Sequence, residues 1–469
     1  MTDNNNNEMD VGLSGEVTPT QNNVPDLVNI GSIPSNLMMD YDTTVYEPVT
    51  KSQSFIRFQI DNKGILHSNS KLTISMAEGI AEKAFFPIGV GVNSLIERAT
   101  LKCGGQTLSE IDDWSSWMGY RSMFISGENN KERESITTSR IMDYETYYNS
   151  SKSTSATVIS NTAGNAVGLD TGMYPIAGGT ADDVLLPEYL SASNTPVFQI
   201  SMSDLFPFLK MNQLPLYMMR DPLFVELTLS SSLLERLSIA GAADQDQVYN
   251  IDLNNVHMII DHIYYPAEQM EAYAQANPQI TLSYHDYSLS KQSLDASQAL
   301  NNIRNIGGAG RIVTKIVTGI SDNAKTGNNH VLNSYFAMYP ADGLNTIELN
   351  VRYNNEFLYP IDLKNPARVY NLVTLAEGMT PFVQRSGYLI EGDATTRNTI
   401  MGLTQHTQIQ GTFFYQAHRL TRNERISGRG IDLYTNYNQL GGSTYLQRAY
   451  IEYVKIATIT NGLVTTYNA

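Results

Sequence analysis

The sequence predicts an all-β protein made of two similar β halves joined by a short linker. Three observations predict it. A hairpin pattern occurs twice, at 94–113 and 346–362, and apolar residues alternate with polar ones in many short segments. Hydrophobic residues make up 42% of the chain and charged residues only 17%, with Asn, Ser, Thr, Gly and Tyr plentiful.

The first hairpin copy reads NSLIERATLKCGGQTLSEID and the second TIELNVRYNNEFLYPID. With Ile111-Asp112 set on Ile361-Asp362, Leu101 falls on Val351, Lys102 on Arg352, Leu108 on Leu358, and Gly104-Gly105 on Asn354-Asn355. Gly and Asn tolerate the positive φ that a two-residue hairpin turn requires, so each copy reads as strand, tight turn, strand. Hairpins with such turns are common, and chance likeness stands beside duplication as the alternative.

Along the chain, SQSFIRFQI at 52–60 places Ile56, Phe58 and Ile60 on one face of a strand and Phe55, Arg57 and Gln59 on the other. LTISM at 72–76 follows, and Asp112 or Asp113 then caps a short helix carrying Trp114, Trp117, Met118, Tyr120 and Met123. Aromatic residues at helical spacing bury area, so this helix is expected to anchor on a sheet edge. Residues 128–195 show no sustained period and read as a long functional or interfacial insertion. VFQISMSDLFPFLKMNQLPLYMMRDPLFVELTL then reads as a strand, a helix from Ser203 or Asp204, an extended LPLYMM and a second strand. VHMIIDHIYY at 256–265 closes the first half. PAEQMEAYAQANPQ, bracketed by Pro266 and Pro278, is a linker with a short helix. The second half runs through ITLSYHDYSLS, RIVTKIVTGI, VLNSYFAMYP, the second hairpin, GTFFYQAHRL and YLQRAYIEYVKIATITNG, with helix only near 368–378. Many short strands in two halves suggest sandwiches rather than solenoids. The expected division is therefore an N-terminal arm at 1–28, a first domain at 29–265 with the insertion 128–195, a linker at 266–279 and a second domain at 280–469.

At 469 residues, each half can bury a full core. The net charge of −16 repels phosphate backbones at long range, which argues against general nucleic-acid binding. The single cysteine, Cys103, allows no disulfide within the chain and no cysteine metal cluster. The N-terminus has no basic segment followed by an apolar run, and no stretch approaches the length of a membrane span, so neither a signal peptide nor a transmembrane segment is expected. Residues 1–28 are polar and poor in aromatics, and are expected to be free or ordered only against neighbouring subunits.

Chemistry leaves little trace. In the set His257, Asp261 and His262, strand alternation separates His262 from the other two, which disfavours a shared metal. His285 and Asp286 likewise point to opposite faces. GGAGRIVTK at 307–315 precedes a strand and lacks the spacing of a phosphate loop, so it reads as a turn. Cys103 has no assignable histidine partner, and the acidic pairs Asp112-Asp113 and Asp182-Asp183 read as solvated turn or cap residues. The cluster Arg419, Arg422, Arg425 and Arg429 suits subunit contacts or salt bridges better than genome binding. The sequon at Asn149 is expected to be unused. No catalytic, cofactor-binding or metal-binding residue is expected, and no enzyme activity.

The repeated hairpin, the run LFPFLKMNQLPLYMMRDPLFVELTL and the run TIELNVRYNNEFLYP resemble the double jelly-roll major capsid proteins of tailless icosahedral double-stranded DNA viruses. Within that group the chain looks most like the capsid proteins of virophages and polinton-like viruses, and more distantly like those of the large algal and giant DNA viruses. The resemblance spans about residues 45–465. It implies two tandem eight-stranded jelly-roll sandwiches with short helices and long loops, assembled as a homotrimer of pseudo-hexagonal outline that tiles a virion shell. Neighbouring capsomers, penton and minor capsid proteins are the implied partners. The insertion 128–195 would form an outward tower, from a loop shorter than in the larger capsid proteins. The alternative is a carbohydrate-binding or carbohydrate-active β-sandwich such as a viral fibre or lectin, with Trp114, Trp117, Asp112 and Asp113 as its candidate site.

Overall fold

The computed structural model describes residues 40–77, 84–85, 90–122, 124, 133–134, 136–138, 197–211, 213–230, 238–239, 250–294, 300–322, 347–360, 366–378, 415–420, 424–437 and 445–469. The arm 1–28, nearly all of the insertion 128–195 with Asn149, Asp182 and Asp183, the segment 331–340, Met123 and Arg422 lie outside these residues.

The first group of strands comprises β1 (Asp40–Tyr46), β2 (Thr50–Lys51), β3 (Phe55–Ile60), β4 (Ile65–Leu66), β5 (Lys71–Ser75), β6 (Ala84–Phe85), β7 (Ile96–Cys103), β8 (Gln106–Asp112), β9 (Val197–Ser201), β10 (Leu214–Pro215), β11 (Leu223–Leu229), β12 (Ser238–Ile239) and β13 (His257–Tyr264). The second comprises β14 (Gln279–Leu294), β15 (Leu300–Ile303), β16 (Val313–Asp322), β17 (Ile347–Tyr353), β18 (Glu356–Phe357), β19 (Tyr415–Arg419), β20 (Ile431–Tyr437), β21 (Tyr445–Thr460) and β22 (Leu463–Asn468). Among the described residues, no strand of one group pairs with a strand of the other.

Each group forms two main sheets with matching order, and in the first group β6 and β12 pair separately as a two-stranded sheet. In the first, β1 pairs with β13, β13 with β5 and β5 with β9, and the facing sheet runs β3-β11-β7-β8. In the second, the sheets run β14-β21-β16-β19 and β15-β20-β17-β18. Strand by strand, the chain crosses between sheets in the same sequence in both groups, which is the eight-stranded jelly roll built from Greek keys. The short strands β4 and β10 extend the first roll's β1–β13 sheet, and β22 extends the second's β14–β21 sheet.

The two repeated hairpins occupy the same place in their rolls. Cys103 opposes Gln106 as Tyr353 opposes Glu356, and Lys102 opposes Thr107 as Arg352 opposes Phe357, the match set by the sequence alignment. Asn354 and Asn355 both adopt positive φ, whereas in the first copy Gly104 alone does so. A Cβ on Gly104 would come within 2.6 Å of the Asp221 carboxylate, so that turn needs glycine for space as well as conformation.

Alternation supplies the cores. Ile56, Phe58 and Ile60 of β3 and Val225 and Leu227 of β11 are fully buried, as the period-two pattern requires. One sequence expectation is corrected: LPLYMM is not extended throughout, because after β10 the chain makes a 3-10 turn over Leu216–Met218 that buries Leu216 and hydrogen-bonds Tyr217 to Gly64 across the sheet. Helix α1 (Trp114–Ser122) follows β8, and α2 (Met202–Leu205) and α3 (Phe208–Met211) follow β9. Between the rolls lies α4 (Ala267–Ala276), which has no buried residue. Helix α5 (Pro366–Glu377) packs on the second roll.

Candidate functional site

The first roll meets the second along a seam where β8 and α1 lie against the long β14–β21 ladder. That ladder belongs to two cores. Ala449, Ile451 and Tyr453 line the second roll's apolar interior, while Ile280, Leu282, Ala457 and Ile459 join the large cluster that fills the first.

At one end of the seam, the Lys455 ammonium donates to the carbonyls of Thr107 (2.9 Å) and Leu108 (3.1 Å) and to the Asp286 carboxylate (2.8 Å). Asp286 also accepts from the Ser109 hydroxyl, the Glu110 backbone N–H and the Tyr453 hydroxyl, each at 3.3 Å. Tyr284 donates to the Leu108 carbonyl at 2.6 Å and sets its ring edge-on to Phe208. Backbone carbonyls at the rim of β8, which has no further strand beside it, thus find partners in the second roll, as buried peptide groups must.

At the other end, Asp113 turns the chain into α1 with φ 50° and is 2% exposed. Its carboxylate accepts from Arg448 Nε at 2.6 Å and Lys291 Nζ at 3.0 Å, and its carbonyl accepts from the Tyr450 hydroxyl at 2.8 Å. Between these ends, the Trp117 ring packs 4.3 Å from Tyr287 and 5.2 Å from Tyr450, and Tyr415 donates to the Ser116 carbonyl.

A third group sits beside them. Glu377, at the end of α5, takes Arg121 (3.1 Å) and the Tyr120 hydroxyl from the first roll and Lys315 (2.7 Å) from the second. Lys315 also reaches Glu452 at 3.1 Å, which accepts from Tyr287 and Thr314. Burial alone would raise the Glu452 carboxyl, but Lys315 and the hydrogen bonds from Tyr287 and Thr314 outweigh it and hold the pKa at about 2. Burial, with Glu452 beside it, pushes the Tyr287 phenol well above its ordinary value, so that group stays a neutral donor. Charges buried in this way add little net stability over an apolar filling, but breaking one pair strands its partner, so they fix how the rolls sit together.

The residues singled out in the sequence fall out clearly. Trp114 and Trp117 are 0% and 1% exposed, and the Trp114 indole donates to Asn93, so neither presents a face to a glycan. Asp113 is consumed by the seam, and only Asp112, near Arg98, reaches solvent. The carbohydrate reading therefore loses its candidate site. The helix packs on its own roll through Trp114 and, through Trp117, on Tyr287 of β14, the edge strand of the second roll's sheet. His262 is fully buried against Tyr46, while Asp261 accepts from Thr43, as alternation requires. Burial, followed by the nearby Asp221 charge, pushes the Cys103 thiol up to about 12, which leaves it no nucleophilic character at neutral pH. No group of three or more His, Cys, Asp or Glu placed to hold a metal occurs among the described residues, and no described helix is long and apolar enough to cross a membrane.

What sequence reasoning missed is the partnership across the seam. The available signal was Asp286, Glu452 and Lys455 standing among tyrosines in strands otherwise apolar on alternate positions; such charges in a two-sided strand need partners.

No protein-family profile and no curated protein matches the chain. Solved structures do. PBCV-1 VP54, in a structure fitted into a cryo-EM reconstruction of the virophage Sputnik, superposes with a TM-score of 0.57 at 9% identity, covering 93% of this chain and 98% of that one. The Faustovirus major capsid protein matches with a TM-score of 0.51 at 8% identity over 96% of both chains. A chain of the Sputnik virophage structure determined by cryo-EM matches with a TM-score of 0.51 at 11% identity, covering 92% and 88%. With two jelly rolls of matching strand order joined along one seam, the chain has the fold of the double jelly-roll major capsid proteins.

Proposed function

We propose that this chain is a major capsid protein that assembles as a homotrimer of pseudo-hexagonal outline and tiles an icosahedral virion shell. The observation that carries the reading is the unmatched half of the seam. Within one chain, the first roll's β7–β8 hairpin covers the second roll's β14–β21 ladder. The equivalent hairpin of the second roll, β17–β18, and the equivalent ladder of the first, β1–β13, have no such cover among the described residues. Phe357 is 53% exposed on that hairpin, and Tyr41 and Val45 are 57% and 59% exposed on that ladder. Repeating the internal contact between copies closes a ring of three chains and six rolls, a heterologous contact that ends on itself. The role requires surfaces and no catalytic centre. Pentons, minor capsid proteins and neighbouring capsomers are the further partners of such a trimer. The narrower placement among virophage and polinton-like viruses rests on the sequence stretches quoted above.

Light scattering of the purified protein, with negative-stain images of the same fraction, tests the reading. A mass three times the 52.1 kDa chain with a six-cornered outline is expected. A monomer that never associates across salt and pH overturns it.

A further inference from the structure

The two rolls stand the same way up. Lys455, late in β21, meets Thr107 early in β8, and Arg448, early in β21, meets Asp113 just beyond β8. The longest connections, 113–196, 323–346 and 358–414, therefore leave from one end of the molecule, and the hairpin turns 104–105 and 354–355 close the other. At the short-loop end of the second roll, three loops are tied together. Gly310 and Arg311 exchange backbone hydrogen bonds with Ile426, Ser427 N–H donates to Asn354, and Arg429 reaches Asn355. This end carries Arg304, Arg425 and Arg429, all exposed, with Arg311 partly so; none forms an ion pair among the described residues. The corresponding end of the first roll carries fewer free cations: Lys63 pairs with Asp42, and Arg220 is exposed beside Asp221.

Residues 1–39 contain Asp3, Glu8, Asp10, Glu16 and Asp26 and no Lys, Arg or His. They join the fold at Asp40, which opposes Tyr264 at the end of β13, and Asp42 beside it meets Lys63 in a short-end loop. The acidic segment thus enters at the same end as the arginines. It enters on the β1–β13 ladder, the surface assigned above to a neighbouring copy's β17–β18 hairpin, whose turn is tied to the arginine loops.

We propose that the acidic segment 1–39 of one copy docks on the arginine end of the second roll of the adjacent copy, tying the trimer together on its short-loop side. The inference rests on the trimer reading. A segment of this length spans up to about 130 Å when extended, so reach sets no obstacle. Opposite charge selects the site, and salt weakens it.

The test uses the full chain and its variant R304E/R425E/R429E, with R304Q/R425Q/R429Q as the milder form should charge reversal prevent folding. Native mass is measured on each, and cleavage after Glu8 and Glu16 by a glutamate-specific protease is timed at 50 mM and 500 mM NaCl. The expected result is a trimer in which cleavage is about tenfold slower in the wild type at low salt than at high salt or in either variant. A trimer cut equally fast in all forms overturns the docking and leaves the capsid reading standing; a monomer overturns the reading itself. A 30-base-pair DNA duplex is added in parallel. Retention of the duplex by wild type but not by the variants, with cleavage unchanged, assigns the arginines to nucleic acid and overturns the proposal.

Discussion

Replacing Asp286 by alanine tests whether the seam is held by its buried charges. The carboxylate accepts four hydrogen bonds, from Lys455, Ser109, Glu110 N–H and Tyr453, and is 2% exposed. Losing a buried acceptor costs the three neutral donors about 1 kcal/mol each. The ammonium keeps the carbonyls of Thr107 and Leu108 but loses its counter-charge, and breaking such a pair costs about 3–5 kcal/mol in all. D286N, whose amide oxygen still accepts, is expected to lose about half as much. D286A/K455M removes both charges and is expected to lie within about 1–2 kcal/mol of wild type. Urea unfolding followed by tryptophan fluorescence is the suitable assay, because both tryptophans of the chain sit on α1, Trp117 in the seam and Trp114 beside it. A D286A loss below about 1 kcal/mol, or a double-variant loss equal to the sum of the singles, would refute the reasoning.

Acid should loosen the fold in two steps, the first inside the second roll and the second at the seam. His418, on β19 against the Tyr359 hydroxyl, is held at about 3 by burial, so its stabilising contribution is complete above pH 6.5 and declines as pH falls towards 3; Glu452, held at about 2 at the seam, contributes above pH 4.5 and loses that contribution towards pH 2. Tryptophan fluorescence against pH checks this, and H418Q should remove the first step. Phe357→Asp should weaken trimerisation at least about 30-fold in sedimentation while leaving circular dichroism unchanged, as for a buried aromatic anchor. Gly104→Ala should cost about 1–2 kcal/mol in urea unfolding, since φ is 55° and Asp221 fills the space a Cβ would need.

The repeated hairpin was legible in the sequence because it is local. Alternation sets the faces of β7 and β17, and Gly104 or Asn354-Asn355 marks the turn. The faces of β3 and β13 were legible for the same reason. The seam was not, because its partners are far apart along the chain, Asp286 from Lys455 by 169 positions and Asp113 from Arg448 by 335. Asp113 reads locally as a helix cap, and it does hold Ser116, but nothing near it announces Arg448 or Lys291. The 3-10 turn at Leu216 was not legible, because burial of that side chain in the first roll's core overrides the extended preference of a Leu-Pro-Leu run.

The double membership of the β14–β21 ladder sets a condition on biosynthesis. The first roll emerges from the ribosome complete in its own sheets, yet Leu108 and Trp117 are covered by Tyr284, Tyr287, Tyr450 and Lys455. At about 5–20 residues per second, the interval between synthesis of Asp112 and of Lys455 is roughly 20–70 s. For that time the nascent chain carries an apolar flank and unpaired carbonyls that only its last strands can close. A frameshift or premature stop ahead of Tyr445 would therefore yield no usable half-protein, and full-length translation becomes a checkpoint that every subunit must pass before it can meet another.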